Sequence, residues 1–396
     1  MILSSLVFAA VALSTVNAQD LGVPLSWRKF STDRHIDERI ALSKAAIDRI
    51  QQSLDTSNAE YSGIGFWQSA NVYAPMALHD DLSGTTTYQS TVTSMLTTAF
   101  SQNAHYDKYQ YNDDAMWWAS AAVYAYRTYG DSNLLNYAID TWTHVSDYVV
   151  TAANAAAGSH PLKSYSLAGS CDGQSMEGGV FWRPTSDDQG INSITTGLYT
   201  ALSAHLADLT GDSKYTDAAI RSANWIKRLN IRDNIVLDSV NAHDCSRSPD
   251  GWRFTYNTGK FIEGLSILTS VTGDSQWDTL LLNLVATGVK NGPWQGSDGI
   301  ITEGASPDSN NDGVGFKSVL IRGLIEAYRR TQNQSLSILI HSYVDVQYNA
   351  LLDLASDGDN EYSSAWAGPA QAYTTWGQMA ALDVLVAAIV ANGIDG

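Results

Sequence analysis

The sequence predicts an all-α fold in which twelve helices pair into six hairpins, and two observations carry this prediction. Apolar residues recur at helical spacing through most of the chain, as at Ile36, Ile40 and Ile47. The links that follow the even-numbered helices are short, whereas the links that precede them are long. Because short links join antiparallel neighbours at one end, the long links should all lie at the opposite end.

Recognisable turns separate the predicted helices along the chain. Three of the short turns read Gly-Asp-Ser, at 130–132, 211–213 and 273–275. Glycine suits the left-handed position that ends a helix, and Asp or Ser then caps the next helix. One stretch, 234–240, alternates like a short strand. The predicted helices lie near 33–55, 64–82, 86–103, 113–130, 133–156, 191–210, 213–229, 256–272, 276–290, 315–331, 335–355 and 373–392.

Hairpins joined in this way form either a closed ring, which is an (α/α)6 barrel, or an open helical solenoid. We expect the closed ring. Function should lie on the end that carries the long loops, because loops vary freely on a rigid scaffold. No Pro-rich or Ser-rich linker divides the chain, so residues 19–396 are expected to form a single domain.

The composition limits the classes of partner that the chain can bind. Of its 396 residues 44% are hydrophobic and 16% are charged, which is enough apolar material for a large core. The formal net charge of −18 argues against nucleic acid and anionic membranes, since both require a basic face. No phosphate loop or zinc-protease motif is present, and we expect no cofactor and no metal. We also expect a monomer.

The N-terminal residues 1–18 read as a secretory signal peptide, with an apolar run that ends in Val16-Asn17-Ala18. A secreted, extracellular protein is therefore expected. Export also places Cys171 and Cys245 in an oxidising compartment, where one disulfide is expected between them. Asn333 begins the sequon Asn-Gln-Ser and is the predicted glycosylation site.

The segment Tyr111-Asn112-Asp113-Asp114, followed by Trp117 and Trp118, joins a long loop to the fourth predicted helix. One interpretation is structural: Asn112 caps the helix and the two acids favour its positive end. The other is catalytic. Two neighbouring side chains can reach one pocket only where a helix starts, and two carboxylates that share a pocket acquire different pKa values. Glycoside hydrolysis requires such an acid and base pair.

These motifs resemble glycoside hydrolase family 76, the endo-α-1,6-mannanases, and the related Dfg5/Dcw1-type fungal cell-wall proteins. Besides Tyr-Asn-Asp-Asp-x-x-Trp-Trp, the matching segments are 178–183, 192–199, 252–259, Glu303 and 316–322. The resemblance implies an (α/α)6 catalytic domain and a retaining mechanism on α-mannan. It implies that Asp113 is the nucleophile and that Asp114 is the general acid/base.

Most candidate substrate-binding residues lie on the predicted long loops. The resemblance assigns Asp238 to a short strand, where it could bind a sugar hydroxyl or serve as an ordinary loop acceptor. Arg183 could hold a carboxylate or form a structural ion pair. The family usually opens the next helix with Lys-Asn-x-x-x-Asn, of which only Asn192 is present, and this leaves the substrate preference open. The candidates are Trp67, Asn112, Trp182, Arg183, Asn192, Asp238, Trp252, Tyr256, Asn257 and Trp366.

Two alternative functions remain at this stage. A transglycosylase would use the same acids but would transfer mannan to a sugar acceptor instead of water. A carbohydrate-binding protein would bind without turnover. Residues 308–313 also imitate the start of a calcium loop, but position 319, where the bidentate Glu belongs, is Val319, so a polar loop is expected.

Overall fold

The computed structural model describes residues 19–391, and the predicted signal peptide 1–18 lies outside them. This part of the chain contains thirteen α-helices, and the all-α prediction is confirmed. The helices are α1 Ile36–Gln51, α2 Phe66–Ser83, α3 Gln89–Gln102, α4 Asn112–Tyr129, α5 Ser132–Ser146, α6 Ala152–Ala157, α7 Ser193–Thr210, α8 Ser213–Leu229, α9 Thr255–Thr272, α10 Ser275–Asn291, α11 Gly313–Arg330, α12 Gln334–Ala350 and α13 Thr375–Ala391.

Six helices form an inner ring, and their order of contact shows that the ring is closed. Helix α2 packs on α4, α4 on α7, α7 on α9, α9 on α11 and α11 on α13, and α13 packs back on α2. The open solenoid is therefore wrong. The outer helices α1, α3, α5, α8, α10 and α12 pack against this ring. All of them except α12 bury mainly one face, as α8 shows with Ala219, Ala223 and Trp225.

Close helix approach in the inner ring depends on glycine. A Cβ added at Gly323 of α11 would lie 2.0 Å from the carbonyl oxygen of Gly259 in α9. A Cβ at Gly259 would in turn lie 2.4 Å from the Cα of Leu320. Only glycine allows backbones to approach this closely, so these two helices pack more tightly than side chains would permit.

The three Gly-Asp-Ser turns form as the sequence predicts. In each turn the glycine adopts the left-handed conformation, and the following aspartate accepts a hydrogen bond from a first-turn backbone N–H of the next helix. These turns lie at the C-terminal ends of inner helices. The long connections therefore lie together at the N-terminal ends. The turn residues are Gly130, Asp131, Gly211, Asp212, Gly273 and Asp274.

The predicted helix 133–156 is wrong in its second half. Helix α5 ends at Ser146, Val149 then forms a bridge with Val180, and the short helix α6 begins separately. Thr151 and Asn154 form a reciprocal capping box that starts α6, so the local polar residues interrupt the apolar pattern.

The long connections carry short antiparallel strand pairs. The predicted strand 234–240 is split between two of them, because β7 pairs with β6 whereas β8 pairs with β5. The strands are β1 Leu54–Asp55, β2 Glu60–Tyr61, β3 Ser170–Cys171, β4 Gln174–Ser175, β5 Gly190–Asn192, β6 Ile231–Arg232, β7 Ile235–Val236 and β8 Ser239–Asn241.

The predicted disulfide is present between Cys171 and Cys245, with Cα atoms 5.6 Å apart. It joins the connection before α7 to the connection before α9. The bond therefore links two loops at the same end of the ring. Within residues 19–391, none of the helices has the length and apolar content needed to cross a membrane.

Candidate active site

A cavity of about 770 Å³ opens at the end of the ring where the inner helices begin. Its wall is made by the first turns of α2, α4, α9 and α11 and by the long connections at this end of the ring. The lining residues are Trp67, Tyr111, Asp113, Asp114, Trp117, Trp182, Asp188, Gly190, Asn192, Asp238, Ser239, Trp252, Phe254, Tyr256, Asp312, Gly313 and Phe316.

The acidic pair lies in the first turn of α4, and Asn112 fixes that turn. The Asn112 backbone N–H donates to the carbonyl oxygen of Trp182 at 2.8 Å, and its side-chain Nδ2 donates to the carbonyl of Phe181 at 2.8 Å. The start of α4 is thus tied to the neighbouring connection. Both Asp113 and Asp114 face the cavity from this position.

The two carboxylates have different hydrogen-bond environments. Asp113 Oδ2 accepts a hydrogen bond from Trp182 Nε1 at 3.1 Å, and its Oδ1 accepts from the backbone N–H of Asp114 at 3.1 Å. Within the described chain, no hydrogen bond reaches the carboxylate of Asp114. Because hydrogen bonds to a carboxylate favour its ionised form, Asp113 is the member of the pair that ionises more easily.

Burial raises the pKa of both acids above the usual range of a carboxyl group. For Asp113, burial is the main cause, and the hydrogen bonds from Asp114 and Trp182 act in the opposite direction. For Asp114, burial is again the largest cause, and the negative charges of Asp113 and Asp312 raise the pKa further. The environment therefore favours one proton on the pair, held by Asp114.

Aromatic rings line most of the remaining wall. Tyr256 stacks on Phe316 with ring centroids 3.7 Å apart, and Trp67 lies 6.1 Å from Phe316. On the other side, Tyr111 and Trp182 are 5.0 Å apart. Such rings present flat apolar faces that can pack against the carbon face of a sugar ring.

The third well-defined acid is Asp238, which is only 8% exposed. Its Oδ1 accepts a hydrogen bond from Nδ2 of Asn257 at 3.1 Å, and burial raises its pKa. Asn192 lies beside it as the N-cap of α7, where its Oδ1 accepts from the Thr195 N–H. The backbone N–H of Ser193 also donates to the Asp238 carbonyl at 2.7 Å, so α7 is held to the segment between β7 and β8.

The ionisable residues of the cavity lining are all acidic. Five of the lining residues are aspartates, and no Lys, Arg or His occurs among them. A cavity of this kind disfavours anionic ligands, since a negative ligand would meet carboxylates without a compensating cation. Neutral sugars suit this lining.

Comparison with models of known protein families identifies the family of this chain. Residues 164–394, more than half of the chain, match the model of Glycosyl hydrolase family 76. The chain belongs to glycosyl hydrolase family 76. The acidic pair lies N-terminal to the matched residues.

Two relatives illustrate the sequence similarity of this family 76 chain. It is 29% identical over 231 residues to the mannan endo-1,6-alpha-mannosidase DCW1 of Saccharomyces cerevisiae, covering 54% of this chain and 50% of that protein. It is 29% identical over 163 residues to a putative mannan endo-1,6-alpha-mannosidase of Schizosaccharomyces pombe, covering 39% and 36%. The matched region thus spans half of the Saccharomyces protein and about a third of the Schizosaccharomyces protein.

Solved structures share the fold of this family 76 chain at low sequence identity. An inactive variant of the alpha-1,6-mannanase GH76A of Salegentibacter sp. HEL1_6, with two consecutive aspartates replaced by asparagine, is in complex with alpha-1,6-mannotriose. It has a TM-score of 0.75 and 15% identity, and the match covers 89% of this chain and 100% of that chain. Dfg5 from Chaetomium thermophilum, in complex with glucosamine, has a TM-score of 0.73 and 15% identity, covering 91% and 92%.

The structure brings most of the predicted site residues of the family 76 chain to the cavity. Those that line it are Asp113, Asp114, Trp67, Trp182, Asn192, Asp238, Trp252 and Tyr256. Trp182 and Trp252 are 37% and 50% exposed, so their rings are accessible to a ligand.

Four predicted binding residues do not line the cavity. Asn112 and Asn257 lie behind the wall, where they hold the first turn of α4 and Asp238. Arg183 stacks on Tyr111, with its guanidinium carbon 4.5 Å from the ring centroid, and its Nε donates to a backbone carbonyl. Trp366 is fully buried, because the ammonium of Lys317 and the surrounding core cover its ring.

Asp312 lines the cavity but is not among the site residues predicted from the sequence. Trp67 Nε1 donates to Asp312 Oδ1 at 3.3 Å, and Asn310 exchanges hydrogen bonds with Gln68. The loop 308–313 thus joins the start of α2. Within residues 19–391, no group of three or more His, Cys, Asp or Glu is arranged to hold a metal. Trp117, Phe254 and Phe316 also line the wall without having been selected.

Proposed function

We propose that this chain is a secreted, retaining glycoside hydrolase that cleaves α-1,6-mannosidic linkages in α-mannan. One observation carries the proposal: two adjacent carboxylates share one aromatic cavity but differ in their hydrogen bonds, so that one ionises while the other keeps its proton. Membership of family 76 supports it, as do the names of the yeast relatives and the mannotriose complex of the Salegentibacter mannanase.

In the first step, the ionised Asp113 attacks the anomeric carbon of a mannosyl unit. The bond from this carbon to the glycosidic oxygen breaks, and the proton of Asp114 moves to that oxygen, which leaves as a hydroxyl group. Trp182 holds the attacking carboxylate by its hydrogen bond to Oδ2. The product of this step is a mannosyl ester of Asp113.

In the second step, Asp114 is ionised and takes a proton from a water molecule. The water oxygen attacks the anomeric carbon, the ester bond to Asp113 breaks, and both acids return to their starting states. If a sugar hydroxyl attacks in place of water, the same residues carry out transglycosylation. Both reactions use Asp113 and Asp114 in the same cavity. Whether water or a sugar hydroxyl attacks therefore decides between hydrolysis and transglycosylation.

The lining supports a neutral polysaccharide as substrate. Five aspartates without a Lys, Arg or His among the lining residues disfavour phosphorylated or uronic sugars, and the aromatic wall offers stacking faces. Extracellular action is consistent with the disulfide, since such bonds persist in oxidising compartments. We propose that the protein acts as a monomer.

The test is product analysis on linear α-1,6-mannan, with and without a mannose-oligosaccharide acceptor. We expect shorter mannooligosaccharides from the wild-type protein. Asp113→Asn and Asp114→Asn should each lower the rate by at least about 10²–10⁴-fold, the usual contribution of such groups. Asp217→Asn removes an exposed carboxylate from α8 and serves as the matched control.

The outcomes separate the candidate functions. Products longer than the acceptor would favour a transglycosylase, whereas binding of mannan without any product would favour a carbohydrate-binding protein. Full activity in both Asp variants would refute the assigned roles.

A further inference from the structure

A glutamate outside the cavity contacts the start of helix α9. Glu303 lies in the connection between α10 and α11 and is not a lining residue. Its Oε1 accepts a hydrogen bond from the backbone N–H of Thr255 at 3.0 Å. Its Oε2 accepts a short hydrogen bond from the Thr255 hydroxyl. One carboxylate therefore makes two hydrogen bonds to the first residue of α9.

Helix α9 needs this contact because its own N-cap supplies none. The N-cap residue is Phe254, whose side chain accepts no hydrogen bond. The first backbone N–H groups of any helix have no partner inside the helix, and the helix dipole favours a negative charge there. Glu303 supplies the acceptor from a distant part of the chain and, when it is ionised, the negative charge as well.

The first turn of α9 carries Tyr256, which lines the cavity, and Asn257, which lies behind the wall. Tyr256 stacks on Phe316 of α11, and Asn257 donates to Asp238. Asn257 is fully buried, so its position depends on the helix backbone rather than on solvent. A displacement of this turn would therefore move both the aromatic wall and the hydrogen bond that orients Asp238.

Lys317 holds Glu303 in place from the other side. Its Nζ donates to the backbone carbonyl of Glu303 at 2.9 Å and to the carbonyl of Ser364, and it lies 4.7 Å from the Trp366 ring centroid. Burial raises the pKa of Glu303 to about 7 and lowers the pKa of Lys317 to about 7. A partly buried glutamate and a fully buried lysine thus meet where α9, α11 and the connection before α13 converge.

We propose that Glu303 is a positioning residue that caps α9 in place of Phe254 and thereby aims Asp238 into the cavity. It touches no substrate and acts through Thr255 and Asn257. The functional part of this inference rests on the proposed glycosidase activity, whereas the capping role is independent of it.

The capping role is tested without substrate by hydrogen exchange of the peptide that covers residues 255–262. Glu303→Ala should raise its exchange rate by about fivefold, because a lost cap typically costs about 1 kcal/mol. Glu303→Gln keeps one acceptor oxygen and should stay within about threefold of wild type. Glu361→Ala is the control, since Glu361 is another partly buried loop glutamate and pairs with Arg49 of the outer helix α1. Unchanged exchange in Glu303→Ala would overturn the capping role.

The positioning role is tested by a double-mutant cycle with Asp238→Asn on α-1,6-mannan. Glu303→Ala should raise KM by about tenfold in the wild-type background, with recovery in Glu303→Gln. In the Asp238→Asn background the same change should have less than about a threefold effect, because the residue that Glu303 aims is already altered. Equal effects in both backgrounds would overturn the positioning role.

These readouts also separate this inference from the proposed function. If the wild-type protein cleaves no mannan, the proposed activity fails, and the cycle is repeated on the dissociation constant of α-1,6-mannotriose. The exchange result stands in either case. Thermal unfolding of each variant shows whether a general loss of stability, rather than a local displacement, explains the change.

Discussion

The hydrogen bond from Trp182 to Asp113 makes a quantitative prediction about pH. Trp182→Phe keeps an aromatic ring in the wall but removes the N–H that donates to Asp113 Oδ2 at 3.1 Å. A hydrogen bond to a charged group contributes about 1.5–3 kcal/mol, and 1.36 kcal/mol corresponds to one pKa unit. Full loss of the bond would raise the pKa of Asp113 by about 1–2 units.

The exposure of Trp182 places the expected value at the lower end of that range. Its side chain is 37% exposed, so water can replace part of the lost hydrogen bond. The nucleophile must be ionised, and a higher pKa delays its ionisation as pH rises. The acidic limb of kcat/KM should therefore move up by about one pH unit, and rates on that limb should fall by about tenfold.

The assay is the initial rate on subsaturating linear α-1,6-mannan between about pH 3 and pH 9. Trp252→Phe is the matched control, because Trp252 lines the same cavity and donates no hydrogen bond to the acidic pair in the described structure. Its acidic limb should coincide with that of wild type. A limb that stays within about 0.3 pH units in Trp182→Phe, or an equal shift in Trp252→Phe, would refute the reasoning.

Two further predictions concern stability and are measured by thermal unfolding. Replacing Cys171 and Cys245 together by serine opens a loop of 74 residues, which should cost about 4 kcal/mol and lower Tm by about 5–6 °C; a decrease below about 2 °C would contradict this estimate. Gly323→Ala should cost about 1–3 kcal/mol, because the new Cβ would meet the Gly259 carbonyl at 2.0 Å. In Gly197→Ala on α7, the new Cβ would lie 3.6 Å from its nearest neighbour, so this variant should be neutral or stabilised by about 0.5–1 kcal/mol. Equal losses of stability in the two glycine variants would contradict the packing argument.

Local signals made the scaffold predictable from the sequence. Gly211 and Asp212 end one helix and start the next through interactions within a few residues, and the other Gly-Asp turns do the same. The acidic pair was also predictable, since its place at a helix start is a local property. The helix predicted over 133–156 was wrong because Thr151 and Asn154 start a new helix inside an apolar pattern.

The missed and misplaced site residues depend on contacts between distant parts of the chain. Asp312 reaches the cavity because its loop bonds to Trp67, which lies 245 residues away in sequence. Phe316 looks like an ordinary core residue of α11 until the closed ring places it against Tyr256. Trp366 lies on a long loop, as predicted, but Lys317 covers its ring and keeps it in the core. Periodicity and capping rules describe neighbours in sequence and cannot supply such pairs.

The length of the inner helices separates the two ends of the molecule. Helices α4, α7 and α9 each contain 18 residues and so extend about 27 Å. Their glycine turns lie at the far end from the cavity, as does the sequon at Asn333, which precedes α12. A linker inserted at Gly211, or a glycan carried on Asn333, would thus leave the mouth unobstructed. Immobilisation on a solid support through that end would present the opening to long polymers in the surrounding liquid.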